Sequence, residues 1–178
     1  IIGFAIGFTV CVTIALYVYH ETSVNDFIPN AENTYRLENE EGETHDFDHA
    51  IAPILKEQFP EIEAIIPLYY SVFESSDHLI INVKPMEFKE IISTTNDFFP
   101  FMGIPILLSQ QENPFTDKNS VILSRSSAIK LFGHYNIIGE SVNFWGTEHF
   151  VSAIAEDIPA NATFGGNVYL SDERGVEL

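Results

Sequence analysis

The chain has 178 residues, of which 26 are acidic and only 8 basic, for a formal charge of −18. That balance excludes a nucleic-acid reader, because phosphate binding needs a basic face, and it disfavours a domain lying flat on an anionic leaflet. Its one cysteine, Cys11, excludes a disulfide framework and leaves the rest of the chain without a cysteine nucleophile or cysteine-based zinc site, so a core built from its 15 Phe and 7 Tyr has to hold the fold together.

Residues 1–20 open with IIGFAIGFTVCVTIALYVY, a run without charge, Asn, Gln or Pro. As a helix at about 1.5 Å per residue it spans roughly 28 Å, the thickness of a bilayer's hydrocarbon core. Thr9, Thr13 and Cys11 are polar groups that a helix satisfies internally, and Tyr17, Tyr19 and His20 suit the interface. The basic n-region, short apolar run and small-residue cleavage site of a signal peptide are not seen. Apolar residues surround the segment rather than forming a stripe, which argues against a core helix. The run therefore predicts a transmembrane helix, and Gly3 and Gly7 form a G-x-x-x-G pair that permits close helix approach. The first basic residues after it are Arg36 and Lys56, so the positive-inside bias places the domain after the helix outside the cytoplasm.

Glu21 to Asn33 reads as a polar connector that docks through Phe27, Ile28 and Pro29. Tyr35-Arg36-Leu37 predicts a first strand, running into an acidic turn over Glu38 to His45. Asp48 suits an N-cap, and Ile51, Leu55, Phe59 and Ile62 line one helical face until Pro60 ends the helix. Strands are predicted over Ile65 to Ser75, Leu79 to Val83 and Phe88 to Ser93. Asp97 to Met102 reads as a helical turn broken by Gly103, and Gln110 to Asn119 as a loop. SVILS (Ser120–Ser124) predicts a strand, with Ser124 capping a helix whose apolar face is Ala128, Leu131 and Phe132 and which Gly133 closes. Leu131→Ala or Phe132→Ala is expected to cost about 2–5 kcal/mol if the side chain is fully buried. Ser141 to Trp145 and His149 to Ala155 form a hairpin about Gly146-Thr147, and Asn167 to Ser171 begins another strand.

Chemistry-bearing residues are sparse. His45, Asp46, Asp48 and His49 are the one metal-like cluster, but Asp46 stands where the zincin pattern needs Glu, and Asp48 as a helix cap accounts for the run. Ser124 to Ser127 lacks the nucleophile-elbow glycines, so Ser124 reads as a cap. Carboxylates are spread without the focus of a glycosidase pair, and no Walker A sequence is present. Asn161-Ala162-Thr163 matches a glycosylation sequon. No catalytic, cofactor-binding or metal residue is nominated.

Several runs together resemble one family. ETSVNDFIPNAENTYRL resembles a connector pattern in which Glu21, Ser23, Asp26, Phe27, Ala31, Tyr35 and Arg36 hold the recurring positions, with Asp26 displaced by one. IAPILKEQFPEIEA, Phe98-Phe99, SVILSRSSAIKLFG followed by IIGE, and AIAEDIPANATF resemble further segments of the same pattern. The chain thus resembles MacB/FtsX-like ABC transporter permeases, specifically the MacB-type periplasmic core domain in its Bacteroidetes style. It departs from the pattern at Leu107-Leu108-Ser109-Gln110 and Asn136-Ile137-Ile138-Gly139-Glu140. A family member would continue past Leu178 to further membrane helices, so the chain is expected to be a fragment.

The resemblance implies an α+β fold: a transmembrane helix at 1–20, then a two-lobed periplasmic domain. A porter-like lobe would occupy 21–112, a mostly-β lobe would be inserted at 113–164, and 165–178 would begin the return. It also implies no enzyme and no cofactor, but a permease subunit in the bacterial inner membrane. Its partners would be a cytoplasmic ABC ATPase, a second permease in a homodimer or heterodimer, membrane lipid and a periplasmic adaptor. Helix motion would carry ATPase action to export or mechanotransmission. A single-pass receptor's sensor domain and a membrane-anchored extracytoplasmic enzyme remain the alternatives.

Overall fold

The computed structural model of the chain describes residues 2–38, 51–71, 79–81, 84–86, 91–144 and 146–172. In chain order these form α1 (Ile2–Thr22), α2 (Ile51–Gln58), β1 (Tyr69–Ser71), β2 (Leu79–Ile81), β3 (Lys84–Met86), β4 (Ile91–Thr94), α3 (Phe98–Met102), β5 (Ile106–Ser109), β6 (Ser120–Ser124), α4 (Arg125–Phe132), β7 (Ser141–Phe144), β8 (Thr147–Ala155) and β9 (Val168–Ser171). The span Gly3–Thr22 is long and apolar enough to cross a membrane, and none of it is buried against the domain. Its hydroxyls are satisfied as expected: Thr9 Oγ1 donates to the Ala5 carbonyl at 2.9 Å, and Thr13 Oγ1 to that of Thr9 at 2.8 Å.

The strands form one mixed sheet in the order β1-β4-β9-β6-β8-β7-β2-β3, with β5 also on β8. β8 organises it. Residues 150–155 run parallel to β6 along one edge, while the other edge is shared, β7 taking 147–150 and β5 taking 153–155. Between Val121 and Ile122 the β6–β8 register slips, leaving Ser152 as the extra residue of a bulge, and its Oγ donates to the Val121 carbonyl at 3.2 Å. The slip resets side-chain alternation, so Val151 and Ile154 share one core while Ala153 and Ala155 fall in the other.

Those two cores line opposite faces of the sheet, as period-two alternation requires. Ile91, Val121, Leu123 and Val168 meet Ala128 of α4 together with Ile137, Val142 and Phe144. Ile92, Ile122 and Tyr169 meet Phe98, Phe99 and Met102 of α3, with Ile28 of the connector and Phe115. The second core is aromatic: Phe99 lies edge-on to Phe98 at 5.3 Å and to Tyr169 at 5.2 Å between ring centres. β9 is parallel to β4 and antiparallel to β6, which makes it the link between the β1–β4 edge and the β6–β8 ladder.

Local signals carry over well around α4. Ser124 Oγ accepts the Ser127 N–H at 3.2 Å, and Gly133 closes the helix at φ 82° with its N–H on the Ile129 carbonyl. The hairpin pairs Phe144 with Thr147, with Gly146 at φ 82°. Other expectations need correction. Tyr35–Leu37 joins no strand among the described residues; Tyr35 is 85% and Leu37 47% exposed, and strand propensity is expressed only against a packed neighbour. Within 65–75 the described strand is Tyr69–Ser71 alone; of the expected strand over Phe88 to Ser93, the described part from Ile91 is β4, and residues 88–90 lie outside the described residues. α2 ends at Gln58, short of the Phe59 and Ile62 expected on its face; Ile51, Leu55 and Ile62 are half-buried, but Phe59 is 49% exposed. Leu131 and Phe132 pack against the first core without being fully buried. β5 is a strand that the sequence does not announce; its short apolar run has no alternation, and only β8 makes it a strand. His45, Asp46, Asp48, His49 and Trp145 lie outside the described residues.

Candidate functional site at the helix to domain joint

The distinctive polar site is the point where α1 enters the domain. The helix ends by the backbone itself: the Ser23 N–H donates to the Tyr19 carbonyl at 3.0 Å, and the chain then leaves with Asn25 at φ 62°, a left-handed conformation that asparagine tolerates better than most residues. The Asn25 carbonyl accepts the Ile28 N–H at 3.0 Å. This turn aims Phe27 and Ile28 into the domain, the docking expected of the connector.

Two residues of this turn are clasped by the loop before β9, 138 positions away in sequence. Asn25 Nδ2 donates to Thr163 Oγ1 at 2.8 Å, and Asn25 Oδ1 accepts the Thr163 N–H at 2.9 Å. Asn161 Nδ2 donates to the Ser23 carbonyl at 2.6 Å and reaches Ser23 Oγ at 3.3 Å. A longer bond joins the Asn25 N–H to the Asn161 carbonyl at 3.4 Å. The sequon residues Asn161 and Thr163 thus form the clasp, and the amide nitrogen that glycosylation would use is engaged with Ser23.

Apolar contacts extend the clasp. The Phe27 and Phe164 rings lie 6.0 Å apart, and Ile28 is buried in the aromatic core. Pro29 sits against Gly103, which ends α3 at φ 67°; a Cβ there would lie 2.6 Å from Pro29 Cδ and 3.0 Å from the Phe27 carbonyl oxygen. Glycine at 103 therefore provides both the turn and the space for the connector.

The clasping loop is itself tied to several elements. The Glu156 N–H donates to the Pro105 carbonyl at 2.9 Å and the Ser124 N–H to that of Asn167 at 3.0 Å. Asp157 Oδ1 accepts the Ser126 N–H at 3.0 Å, adding a carboxylate to the start of α4. Tyr169 donates its hydroxyl to the Gly166 carbonyl at 3.1 Å. Between α4 and this loop lies an open polar cleft of about 370 Å³, lined by Ser126, Asp157, Thr163 and Asn167 among others. Ser124 and Ser127 share a hydroxyl contact of 2.9 Å and serve the helix start, which is the capping role expected of Ser124.

His149 of β8 is held below its ordinary value of 6.5 by burial, against the opposing pull of a hydrogen bond to the Asn119 backbone and of the Asp117 carboxylate. Its ring stands edge-on to Phe144 at 5.3 Å. Sequence reasoning misses the clasp because neither half is a motif alone; the available clue is that both halves fall in the runs that carry the family resemblance.

No curated protein matches the chain in sequence. Among solved structures, the chain is similar to the periplasmic region of MacB from Actinobacillus actinomycetemcomitans, at 18% identity and TM-score 0.58, covering 77% of this chain and 60% of that one. It is similar also to a domain of a protein assigned as a permease from Porphyromonas gingivalis, at 17% identity and TM-score 0.56, covering 72% and 52%. A third likeness is to the extracellular domain of the noncanonic ABC-type transporter YknZ from Gram-positive bacteria, at 13% identity and TM-score 0.54, covering 70% and 62%. At these identities the likeness is one of fold, and the chain spans 52% to 62% of the length of the solved domains it matches. The MacB-like periplasmic core domain matches residues 1–176, nearly the whole sequence, and the chain belongs to that family.

Proposed function

We propose that the chain is the first membrane helix and part of the extracytoplasmic domain of an ABC permease in the bacterial inner membrane. In this reading a cytoplasmic ATPase works on the permease, and helix motion is delivered to the periplasmic side for export or mechanotransmission. The observation that carries it is the joint: α1 runs into the domain through Asn25 and is clasped by Asn161 and Thr163, an arrangement suited to passing a helix displacement into a folded body. The lobe division is part of the proposal. Residues 21–112, carrying the connector, α2, α3 and β1 to β5, together with the return from residue 165 through β9, would make the porter-like half, and residues 113–164, carrying β6, α4, β7 and β8, the inserted half. The permease would act as a dimer within lipid, with a periplasmic adaptor as its outer partner.

The test uses the full-length permease with Cys11→Ser and every other cysteine of the protein replaced by serine, so that Lys118→Cys is the only thiol. An impermeant maleimide should label Lys118→Cys in intact spheroplasts, and the permease should retain an ATP-hydrolysing cassette subunit encoded beside it through purification. Labelling only after lysis, together with no retained cassette subunit, would refute the reading.

A further inference from the structure

The geometry points to the Ser23–Asn25 and Asn161–Thr163 clasp as the rigid coupling joint between α1 and the domain, with Asn25 and Asn161 as its positioning residues; its use in transport rests on the permease reading above. A helix joined to a domain through one chain swivels, because each connecting residue keeps two soft dihedrals. The clasp removes that freedom by adding a second attachment. Two residues of the helix exit, two positions apart, bind two residues of the loop before β9, also two positions apart. A pair of separated anchor points resists rotation about either one.

The anchors also reach the right elements. From Thr163 the path is Phe164 on Phe27, then Gly166 on Tyr169 in β9, and β9 lies between β4 and β6 in the sheet. From Asp157 the same loop holds the start of α4. A displacement at Ser23 is thereby shared by the sheet and α4 rather than absorbed in the connector. The clasp residues are exposed or half-buried, so their bonds add little to the stability of the domain, and their loss should loosen the joint without unfolding it.

The variants separate these effects. Asn25→Gly keeps the φ of 62° without strain and removes both bonds to Thr163. Asn161→Ala removes the bonds to Ser23. Asn25→Asp is the conservative rescue: the carboxylate still accepts the Thr163 N–H, and the Thr163 hydroxyl becomes the donor to its other oxygen. Spin labels at Tyr17→Cys and Glu140→Cys, with Cys11 and every other native cysteine replaced by serine, report helix-to-domain distance in the full-length permease, held in lipid nanodiscs with its ATPase.

The wild-type distance distribution should be narrow and should shift on adding ATP. In Asn25→Gly and in Asn161→Ala the ratio of clasped to unclasped joint should fall on the order of tenfold, broadening the distribution and abolishing the ATP-driven shift, while the melting temperature holds. Asn25→Asp should restore both. A narrow distribution in the double variant Asn25→Gly/Asn161→Ala would overturn the joint while leaving the permease reading standing. A wild-type distance indifferent to ATP, with the variants broadened, would instead sink the permease reading and retain the joint.

Discussion

Replacing Phe99 by alanine should be among the most damaging single truncations in the aromatic core, and its size follows from its surroundings. Phe99 is 1% exposed and touches three rings, Phe98, Tyr169 and Phe115, the last at 6.0 Å. A buried phenylalanine covers about 200 Å², which at about 25 cal/mol per Å² is worth roughly 5 kcal/mol for the whole side chain. Alanine keeps the β-carbon, and truncations of this kind cost about 3–5 kcal/mol; we take about 4. For a domain of this size that lowers the melting temperature by about 8–16 °C. Phe132 is only partly buried, so Phe132→Ala should cost less than Phe99→Ala, and Phe59→Ala, at 49% exposure, about half as much, roughly 2 kcal/mol. Urea unfolding of the lipid-embedded chain, followed by near-ultraviolet circular dichroism, ranks the three. Equal losses at Phe99 and Phe132, or a loss below about 1 kcal/mol at Phe99, would refute the two-core packing.

Three further predictions test separate parts of the fold. Ser124→Ala removes the acceptor for the Ser127 N–H and the partner of the Ser127 hydroxyl; it should cost about 1–2 kcal/mol by urea titration, and Ser124→Asp should recover part of the helix start. Gly103→Ala places a methyl group 2.6 Å from Pro29 at a φ of 67°; it should cost about 2–3 kcal/mol and speed proteolytic cutting near Pro29, whereas an unchanged cutting rate would show that the connector is not seated on α3. His149 titrates below 6.5 in the folded state, so below that pH the unfolded chain binds more protons than the native one. Its contribution is full above the unfolded value, declines as pH falls through it and levels off below the depressed folded value. The wild-type stability profile should therefore be steeper on acidification than that of His149→Phe, and parallel profiles would show that His149 is not buried as a neutral group.

What the sequence discloses is mostly local. Ser124, Ala128 and Gly133 declare a capped helix within ten residues, because a cap and a left-handed closing glycine act on their own turn. The apolar run of α1 is equally self-contained, since a helix in lipid satisfies its own backbone. Tyr35–Leu37 fails as a strand for the opposite reason: its residue types favour a sheet, but a strand exists only beside another. β5 is hidden by the same logic, with its partner β8 lying far along the chain. The bulge at Ser152 is unreadable too, although it decides which of Val151, Ala153 and Ile154 face which core.

The joint marks the boundary of that legibility most sharply. Asn161-Ala162-Thr163 looks like a sequon and Asn25 like one polar residue in a polar connector; neither spelling predicts the other. Their hydrogen bonds are set by where β9 lies beside β4 and β6, hence by the registers of the whole sheet. A clasp placed this way depends on the whole domain. Because the loop from Glu156 to Asn167 is fixed at both ends, by Pro105 and by Ser124, it can hold the helix exit only while β5, β6 and β9 keep their registers. The grip on α1 is then a property of the assembled domain rather than of the connector, which is why a lost bond at Asn25 and a lost ring at Phe99 should differ in kind: the first frees the helix from an intact domain, and the second weakens the body to which the helix is attached.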